Sequence, residues 1–290
     1  MTTVQALTDP DEFAAVAEPI LAADPVRSTV IATALHRARR DGAHEGDRWW
    51  VVRDGDGADA PIVGLAMHTR PGRPYVYSDT AHGREVGAAV AAELATTDLR
   101  HPITGVNGYV MAARGFADEW VRLRGGHVRA GRQDVLYRLL GPVRVPHDVP
   151  GSARVATIED HTWLDEWGRA FIRDIGDPPD PLVSLEHPLG EGGFLVWESE
   201  VDGRTRPVAM AFANVPQHGH ARVSWVWTLP QARGRGFGGA VVAAITARAQ
   251  EEGVACLLIA DASNPASNAV YRRLGFQAVD EACHLHLDAD

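Results

Sequence analysis

The chain has 290 residues, of which 45% are hydrophobic and 23% charged, a composition typical of globular proteins that bury sizeable cores. Its formal charge of -10 argues against a general nucleic-acid binder, because neutralising phosphates requires a basic surface. The sequence contains arginine but no lysine, which excludes P-loop NTPases, protein kinases and Schiff-base enzymes, because their chemistry depends on a lysine amine.

The first residues, MTTVQALTDPDEF, carry acids where a secretion signal has basic residues and an apolar run. No later stretch is apolar for long enough to cross a bilayer. We therefore expect a cytoplasmic protein that does not bind membranes. Cys256 and Cys283 both fall in predicted strands, which indicates reduced thiols in a core rather than a disulfide.

The first half of the chain alternates helical and extended patterns. In chain order, it predicts helices 11–23 and 26–40, strands 49–53, 62–68 and 75–78, helix 85–95, strand 103–106, helix 110–123 and strand 135–140. Residues 141–151 hold three prolines and two glycines and are typical of a linker between domains. We accordingly expect a domain over residues 1–143, a linker over 144–151 and a second domain over 152–290.

The second half repeats this order of elements. It predicts strand 154–156, helix 158–174, strands 194–199, 208–213 and 221–228, helix 236–251, strand 255–260, helix 265–274 and strand 282–287. Three strands precede the main helix and two follow it, which indicates a mixed α/β fold. The shared order suggests a tandem duplication.

The most informative segment is Trp225–Ala240, where an extended run leads through a glycine-rich turn into an apolar helix. The turn carries Arg233 and Arg235 among glycines at positions 234, 236, 238 and 239. Backbone N–H groups at a helix start favour an anion, and glycines let phosphate oxygens approach the backbone closely. Two arginines add fork-shaped donors, so the segment suits a diphosphate.

Two other interpretations of this turn exist. The glycines could form a flexible loop whose later members only allow close packing of helix on sheet. Alternatively, Gly234, Gly236 and Gly239 satisfy the dinucleotide-binding fingerprint, with Asp261 near the position of its ribose-binding acid. Against a dinucleotide fold, a proline-containing stretch separates the first glycine from its strand, and too few strands follow to complete the domain.

A second motif, N-P-x-S-N-x-x-Y-x-x-L-G-F, lies at Asn264–Phe276. Together with R-x-x-G-x-G at Arg233–Gly238, in this order and separation, it resembles the GCN5-related N-acetyltransferase (GNAT) superfamily. The resemblance implies an α/β fold of two GNAT-like domains, each a mixed, largely antiparallel twisted sheet flanked by helices. It also implies acetyl-CoA or another acyl-CoA as cosubstrate and a small amine as acceptor.

The resemblance further implies roles for individual residues. It assigns the CoA diphosphate and the pantetheine arm to the turn and the strand before it, through Val226, Trp227, Thr228, Arg233, Gly234, Arg235, Gly236, Gly238 and Gly239. Asn264 and Asn268 are expected near the cofactor arm, and Tyr271 is expected to donate a proton to the departing CoA thiolate. A neutral phenol suits that role near pH 7, although a tyrosine that only anchors the helix would leave the same pattern.

The corresponding turn of the first half, Ser78–Gly87, lacks the leading arginine and the paired glycines. It carries Asp79 and Glu85, which would repel phosphates. We therefore expect a degenerate GNAT-like domain that binds no CoA and shapes the substrate cleft. An N-terminal domain of another fold is the alternative.

Attack of an amine on a thioester requires a neutral amine, and hence a base or a water path. The candidate bases, none of which stands out, are Glu198, Glu200, His218, His220, Asp261, His284 and His286. A pair of histidines on a strand could also ligate a metal, but no third ligand of suitable spacing is evident, and no metal is expected.

Aromatic and acidic side chains could line an acceptor pocket. Trp225 and Trp227 share a strand face, and a helix face carries Trp163, Trp167 and Phe171. Core packing is the default explanation for both sets. The loop 174–191, with acids at positions 174, 177, 180 and 186, could attract a cationic amine or could simply be solvated.

The sequence therefore predicts an acyl-CoA-dependent N-acetyltransferase. The alternatives are an acyl-CoA sensor that has lost turnover and a nicotinamide enzyme. The acceptor, the acyl-chain preference and the oligomeric state are left open.

Overall fold

The computed structural model describes residues 2–69, 73–97, 102–176 and 185–289. The chain divides into two compact units. Unit 1 comprises residues 1–136, 261–263 and 280–290, and unit 2 comprises residues 137–260 and 264–279. Among the helices in the described ranges, none combines the length and the hydropathy that crossing a bilayer requires.

Unit 1 contains a mostly antiparallel sheet with helices packed on it. Its elements are Thr2–Leu7 (β1), Pro10–Ala23 (α1), Thr29–Asp41 (α2), Arg48–Asp54 (β2), Ile62–His68 (β3), Tyr75–Ser78 (β4), Gly83–Thr96 (α3), Gly105–Tyr109 (β5), Val110–Arg124 (α4) and the start of His127–Leu139 (β6). Strands β1 to β4 pair antiparallel in chain order, and β5 runs parallel to β4. Trp50, Val106 and Phe116 are central members of its core.

Unit 2 repeats this order of elements. They are Ser152–Val155 (β7), His161–Ile175 (α5), Glu186–Gly190 (α6), Phe194–Val201 (β8), Arg204–Ala213 (β9), His220–Thr228 (β10), Phe237–Glu251 (α7), Ala255–Asp261 (β11), Pro265–Leu274 (α8) and the start of Phe276–Asp288 (β12). Strands β7 to β10 pair antiparallel, and β11 runs parallel to β10. Leu164 of α5, Phe194 of β8 and Met210 of β9 share one core.

The predicted mixed α/β organisation and its order of elements are confirmed, with local differences; β12, for example, begins at Phe276 and not at the predicted position 282. Strand β1 and the short helix α6 are absent from the prediction, and β6 begins at His127, eight residues before the predicted start at position 135. The last strand, β12, has its residues Ala282–His286 paired antiparallel with β5 of unit 1. The two units are not continuous in sequence, since residues 280–290 belong to unit 1. The domain boundaries at residues 143 and 151 therefore stay a prediction.

The two cysteines are free and buried, as the sequence predicts. Burial raises the pKa of the Cys256 thiol to about 11 and also raises the pKa of Cys283. Both thiols therefore stay protonated and poorly nucleophilic near neutral pH.

Helices α3 and α4 of unit 1 are in backbone contact. A Cβ at Gly87 would lie 2.0 Å from the carbonyl oxygen of Ala112, and a Cβ at Gly115 would lie 2.3 Å from that of Arg84. Atoms cannot approach so closely, so both positions require glycine. The two helices therefore leave no room for a ligand arm between them at these positions.

Candidate functional site

Strand β10 of unit 2 is irregular just before the glycine-rich turn. Its register against β9 shifts between Ser224 and Trp227, and Trp225 has a φ of 51°, in the left-handed region. Among the described residues, its parallel pairing with β11 covers His220–Val223 and goes no further. The backbone of Val226–Thr228 can therefore pair with an extended ligand on that side.

The turn itself presents backbone amides at the start of α7. A single 3₁₀ turn leads to Gly234 and Gly236, whose φ angles of 79° and 84° favour glycine. The Ala240 amide donates to the Gly236 carbonyl, so the amides of residues 237–239 precede the helical hydrogen-bond ladder. The first turn of α7 contains no acid, and the helix dipole adds partial positive charge. This arrangement can bind an anion such as a diphosphate.

The next two glycines have a packing role. A Cβ at Gly238 would lie 3.1 Å from the Thr228 hydroxyl oxygen, and a Cβ at Gly239 would lie 3.3 Å from a Val270 methyl group. Close packing therefore explains why positions 238 and 239 carry no side chain. Only the backbone amides of Gly238 and Gly239 are candidates for anion binding.

The two arginines of the turn differ in what they contact. Arg233 donates through Nε to the Thr228 carbonyl at 3.1 Å and through one terminal nitrogen to Asp174 Oδ2 at 2.6 Å. The Arg235 guanidinium lies 4.8 Å from the centre of the Phe237 ring. Arg233 is thus paired with an internal carboxylate, whereas Arg235 lies over an aromatic face.

Asp174, at the end of α5, is a feature that the motif analysis did not connect to the turn. Its Oδ2 also accepts from the Trp227 indole N–H at 2.9 Å. The Trp227 and Arg233 hydrogen bonds hold the pKa of the Asp174 carboxyl below its ordinary value. No local pattern could indicate this contact, because the two charged residues are 59 positions apart.

Both asparagines of the second motif hold α8 together. The Asn264 side chain caps the helix by accepting from the Ser267 amide at 3.1 Å. Asn268 is buried, donates to the Asn264 carbonyl at 2.7 Å and accepts from the Tyr137 hydroxyl at 2.8 Å. Their predicted contact with a cofactor arm stays a prediction. Tyr137, on β6, is a supporting residue that sequence reasoning missed.

Tyr271 lies on the same helix and is buried. Burial raises the pKa of its phenol to about 12, while a hydrogen bond with Ser267 acts in the opposite direction. Its ring lies 6.1 Å from that of Tyr137 and 6.4 Å from that of Phe276. The phenol is therefore neutral at physiological pH, the state that a proton donor requires.

The candidate bases have different partners and are divided between the two units. Glu198 accepts from Arg154 at 2.8 Å, and the His220 ring bonds the His218 carbonyl at 3.0 Å. Asp261, His284 and His286 belong to unit 1. There His284 is 2.8 Å from Asp134, and His286 is 2.9 Å from Arg73. Among the described residues, no group of three or more histidines, cysteines or acids is placed to hold a metal ion.

The aromatic residues pack against one another between α5 and the sheet. Trp167 lies 4.7 Å from Trp163 and 5.2 Å from Trp227, and Phe171 stacks 5.9 Å from Trp225. This mutual packing favours the core interpretation over a substrate wall. Asp177 and Asp180 lie outside the described residues, so attraction of a cationic amine by these acids stays a hypothesis.

The turn of unit 1 that corresponds to the glycine-rich turn contains its own anion. Asp79 Oδ1 accepts from the amides of Ala81 and His82 at 3.0 and 2.8 Å. It also contacts the His82 ring, whose pKa this hydrogen bond raises. A carboxylate of the chain thus already occupies two amides of this turn, at the residues directly before α3.

Comparison with known proteins identifies relatives of this fold. Residues 204–285 match the family described as FR47-like protein. No curated protein matches the sequence. Among solved structures, a Drosophila protein is similar over 98% of both chains, with 18% identity and a TM-score of 0.64.

Two further structures carry informative names. A GCN5-related N-acetyltransferase from Sphaerobacter thermophilus aligns with 99% of this chain and 95% of its own, at 17% identity and a TM-score of 0.62. A tandem GNAT protein from the clavulanic acid biosynthesis pathway aligns with 100% and 99% of the two chains, at 14% identity and a TM-score of 0.57. At such identities the likeness shows the fold, and it confirms the fold class predicted from the sequence.

Proposed function

We propose that this chain, a member of the GNAT superfamily by its fold and by the FR47-like match of residues 204–285, transfers an acyl group from acyl-CoA to a small amine. The observation that carries the proposal is the turn at the start of α7. The first turn of α7 contains no acidic residue that would compete for its backbone amides. Helix α8, farther along the chain, carries the buried phenol of Tyr271.

Acetyl-CoA or another acyl-CoA supplies the activated acyl group in this proposal. The amides of residues 236–239 and the two arginines of the turn bind its diphosphate. The backbone of Val226–Thr228 pairs with the pantetheine arm. The side chains of Asn264 and Asn268 then act mainly by fixing α8, since both are engaged in hydrogen bonds within the unit.

The chemical step requires one bond to form and one to break. The neutral amine nitrogen forms a bond to the acyl carbon, and the carbon–sulfur bond breaks. Tyr271 gives its proton to the departing sulfur, and the proton lost by the amine passes to a base or to water. The raised pKa of Tyr271 keeps the phenol protonated and able to donate a hydrogen bond to the departing sulfur. Because this phenol is a weaker acid than a thiol, the phenolate regains a proton from solvent once the CoA thiol has formed.

Unit 1 is proposed to bind no CoA. Asp79 already accepts from the amides of its turn, and α3 and α4 touch through Gly87 and Gly115. In unit 1 a carboxylate of the chain therefore already accepts from two amides of the turn, and the two helices leave no space between them at these glycines.

The test begins with ligand stabilisation of the purified full chain. Acetyl-CoA or a longer acyl-CoA at saturating concentration is expected to raise the Tm, because a ligand that binds only the folded state stabilises it. NAD and NADP serve as the matched dinucleotide controls. Stabilisation by a dinucleotide and not by CoA would contradict the proposal and favour the nicotinamide enzyme.

A thiol-release assay with a panel of amines then separates an enzyme from a sensor. The panel includes polyamines, aminoglycosides and amino acids, and we expect acyl-CoA-dependent thiol release with at least one of them. Because the chain has no lysine, acylation of its own ε-amines cannot contribute a background. CoA binding without thiol release from any amine would favour the non-catalytic sensor.

A further inference from the structure

The pair formed by Arg233 and Asp174 has an unusual place in the proposed site. Arg233 opens the turn that is proposed to bind the diphosphate, yet its guanidinium is already 2.6 Å from the carboxylate at the end of α5. The guanidinium also lies 5.9 Å from the centre of the Trp227 ring. A diphosphate at the turn and this carboxylate would both bind the same cation.

The structure makes this pair easy to exchange. The side chains of Arg233 and Asp174 are 51% and 48% exposed, so water screens their attraction and the pair is weak. Asp174 also keeps a second donor, the Trp227 indole N–H at 2.9 Å, when the guanidinium leaves. Arg233 in turn remains tethered through its Nε bond to the Thr228 carbonyl. Neither group is left without a partner by the exchange.

We infer that Asp174 is a positioning residue that competes with the CoA diphosphate for Arg233. It holds the guanidinium at the turn while the site is empty, gives it up when the diphosphate binds, and takes it back as CoA leaves. This inference rests on the proposed function of the turn. Its consequence is that the native carboxylate weakens CoA binding and speeds the release of the product.

The main test is the Asp174→Asn variant, measured by calorimetric titration with CoA. Asparagine keeps an oxygen for the Trp227 N–H but no charge for Arg233. We expect CoA to bind about two- to fivefold more tightly, the range that corresponds to an exposed ion pair. In stopped-flow displacement, the dissociation rate of CoA is expected to fall by a similar factor.

The same helix offers a matched control. Asp165 forms an ion pair with Arg169 at 2.6 Å on α5, nine residues before Asp174 and hence about 13 Å along the helix from it. The Asp165→Asn variant removes the same charge from the same helix and is expected to leave CoA affinity unchanged.

A double-mutant cycle separates competition from a general charge effect. In an Arg233→Gln background, Asp174→Asn is expected to change CoA affinity much less than it does in the native background. Equal effects in both backgrounds would mean that Asp174 acts only through its field. Weaker CoA binding in Asp174→Asn would mean that the benefit of holding Arg233 at the turn outweighs the competition. Either result overturns the inference while leaving the proposed function intact, whereas failure of the native chain to bind CoA would contradict the proposed function itself.

Discussion

Gly236→Asp is expected to weaken CoA binding by about tenfold or more relative to Gly236→Asn. Gly236 has a φ of 84° at the position just before α7, and both replacements tolerate that region better than other residues do. They have the same shape and meet the same neighbour, a Val149 methyl group that would lie 2.9 Å from a Cβ. Only aspartate adds a negative charge beside the diphosphate, which costs about 1–4 kcal/mol at 4 Å. Calorimetric titration with CoA measures the difference.

Gly236→Asp would also give the turn of unit 2 a carboxylate of its own, as the corresponding turn of unit 1 already has. Asp79 accepts from the amides of the corresponding turn there, and an aspartate at position 236 would supply a similar internal anion. The melting temperatures of the two variants without ligand serve as the control, and we expect them to agree. Equal CoA affinities in two folded variants would show that no phosphate binds at this turn.

Tyr271→Phe is expected to lower kcat by about a hundredfold while changing the Kd for CoA by no more than about twofold. The first effect follows from the loss of proton donation to the leaving thiolate, which typically contributes a factor of this size or more. The second follows because the phenol oxygen has no assigned role in holding the coenzyme, so the loss should appear in the chemical step. Steady-state thiol release and calorimetric titration measure the two quantities.

Tyr137→Phe is the matched control for this prediction. It removes a phenol oxygen from a buried tyrosine whose ring lies 6.1 Å from that of Tyr271, but it leaves the proposed donor in place. We expect a smaller loss of kcat, caused by the missing hydrogen bond to Asn268. If the two variants lose kcat equally with the preferred amine, Tyr271 supports the helix and does not donate the proton.

The titration of Tyr271 sets a pH dependence with a defined sign. Burial raises its pKa to about 12 from an ordinary value near 10, so the folded state holds this proton more tightly than the unfolded state does. Its contribution to stability is complete below about pH 10 and is lost as the pH rises toward about 12. The native chain should therefore lose stability in this range more steeply than Tyr271→Phe, in which the other buried tyrosines still titrate.

The order of elements and the glycine-rich turn at the start of α7 could be predicted because both depend on local patterns. Hydrophobic periodicity marks the helices, and the glycines at positions 234 and 236 mark the left-handed positions that the turn requires. The capping role of Asn264 follows equally from its place directly before Pro265 at the start of a helix.

The remaining features depend on contacts between distant parts of the chain. The pairing of β12 with β5 joins residues that are more than 170 positions apart, such as Ala282 and Tyr109, and no short pattern encodes it. The positive φ of Trp225 reflects the register shift against β9, since tryptophan itself gives no signal for a bulge. The bond between Asp174 and Arg233 likewise appears only after α5 has packed on β10.

Binding of the CoA diphosphate at the start of α7 is best tested by a crystal structure of the full chain with bound CoA. We expect the diphosphate to lie within hydrogen-bond distance of the amides at residues 236–239, with the guanidinium of Arg233 turned toward it and away from Asp174. A structure in which CoA occupies another site and leaves this turn free would contradict the account.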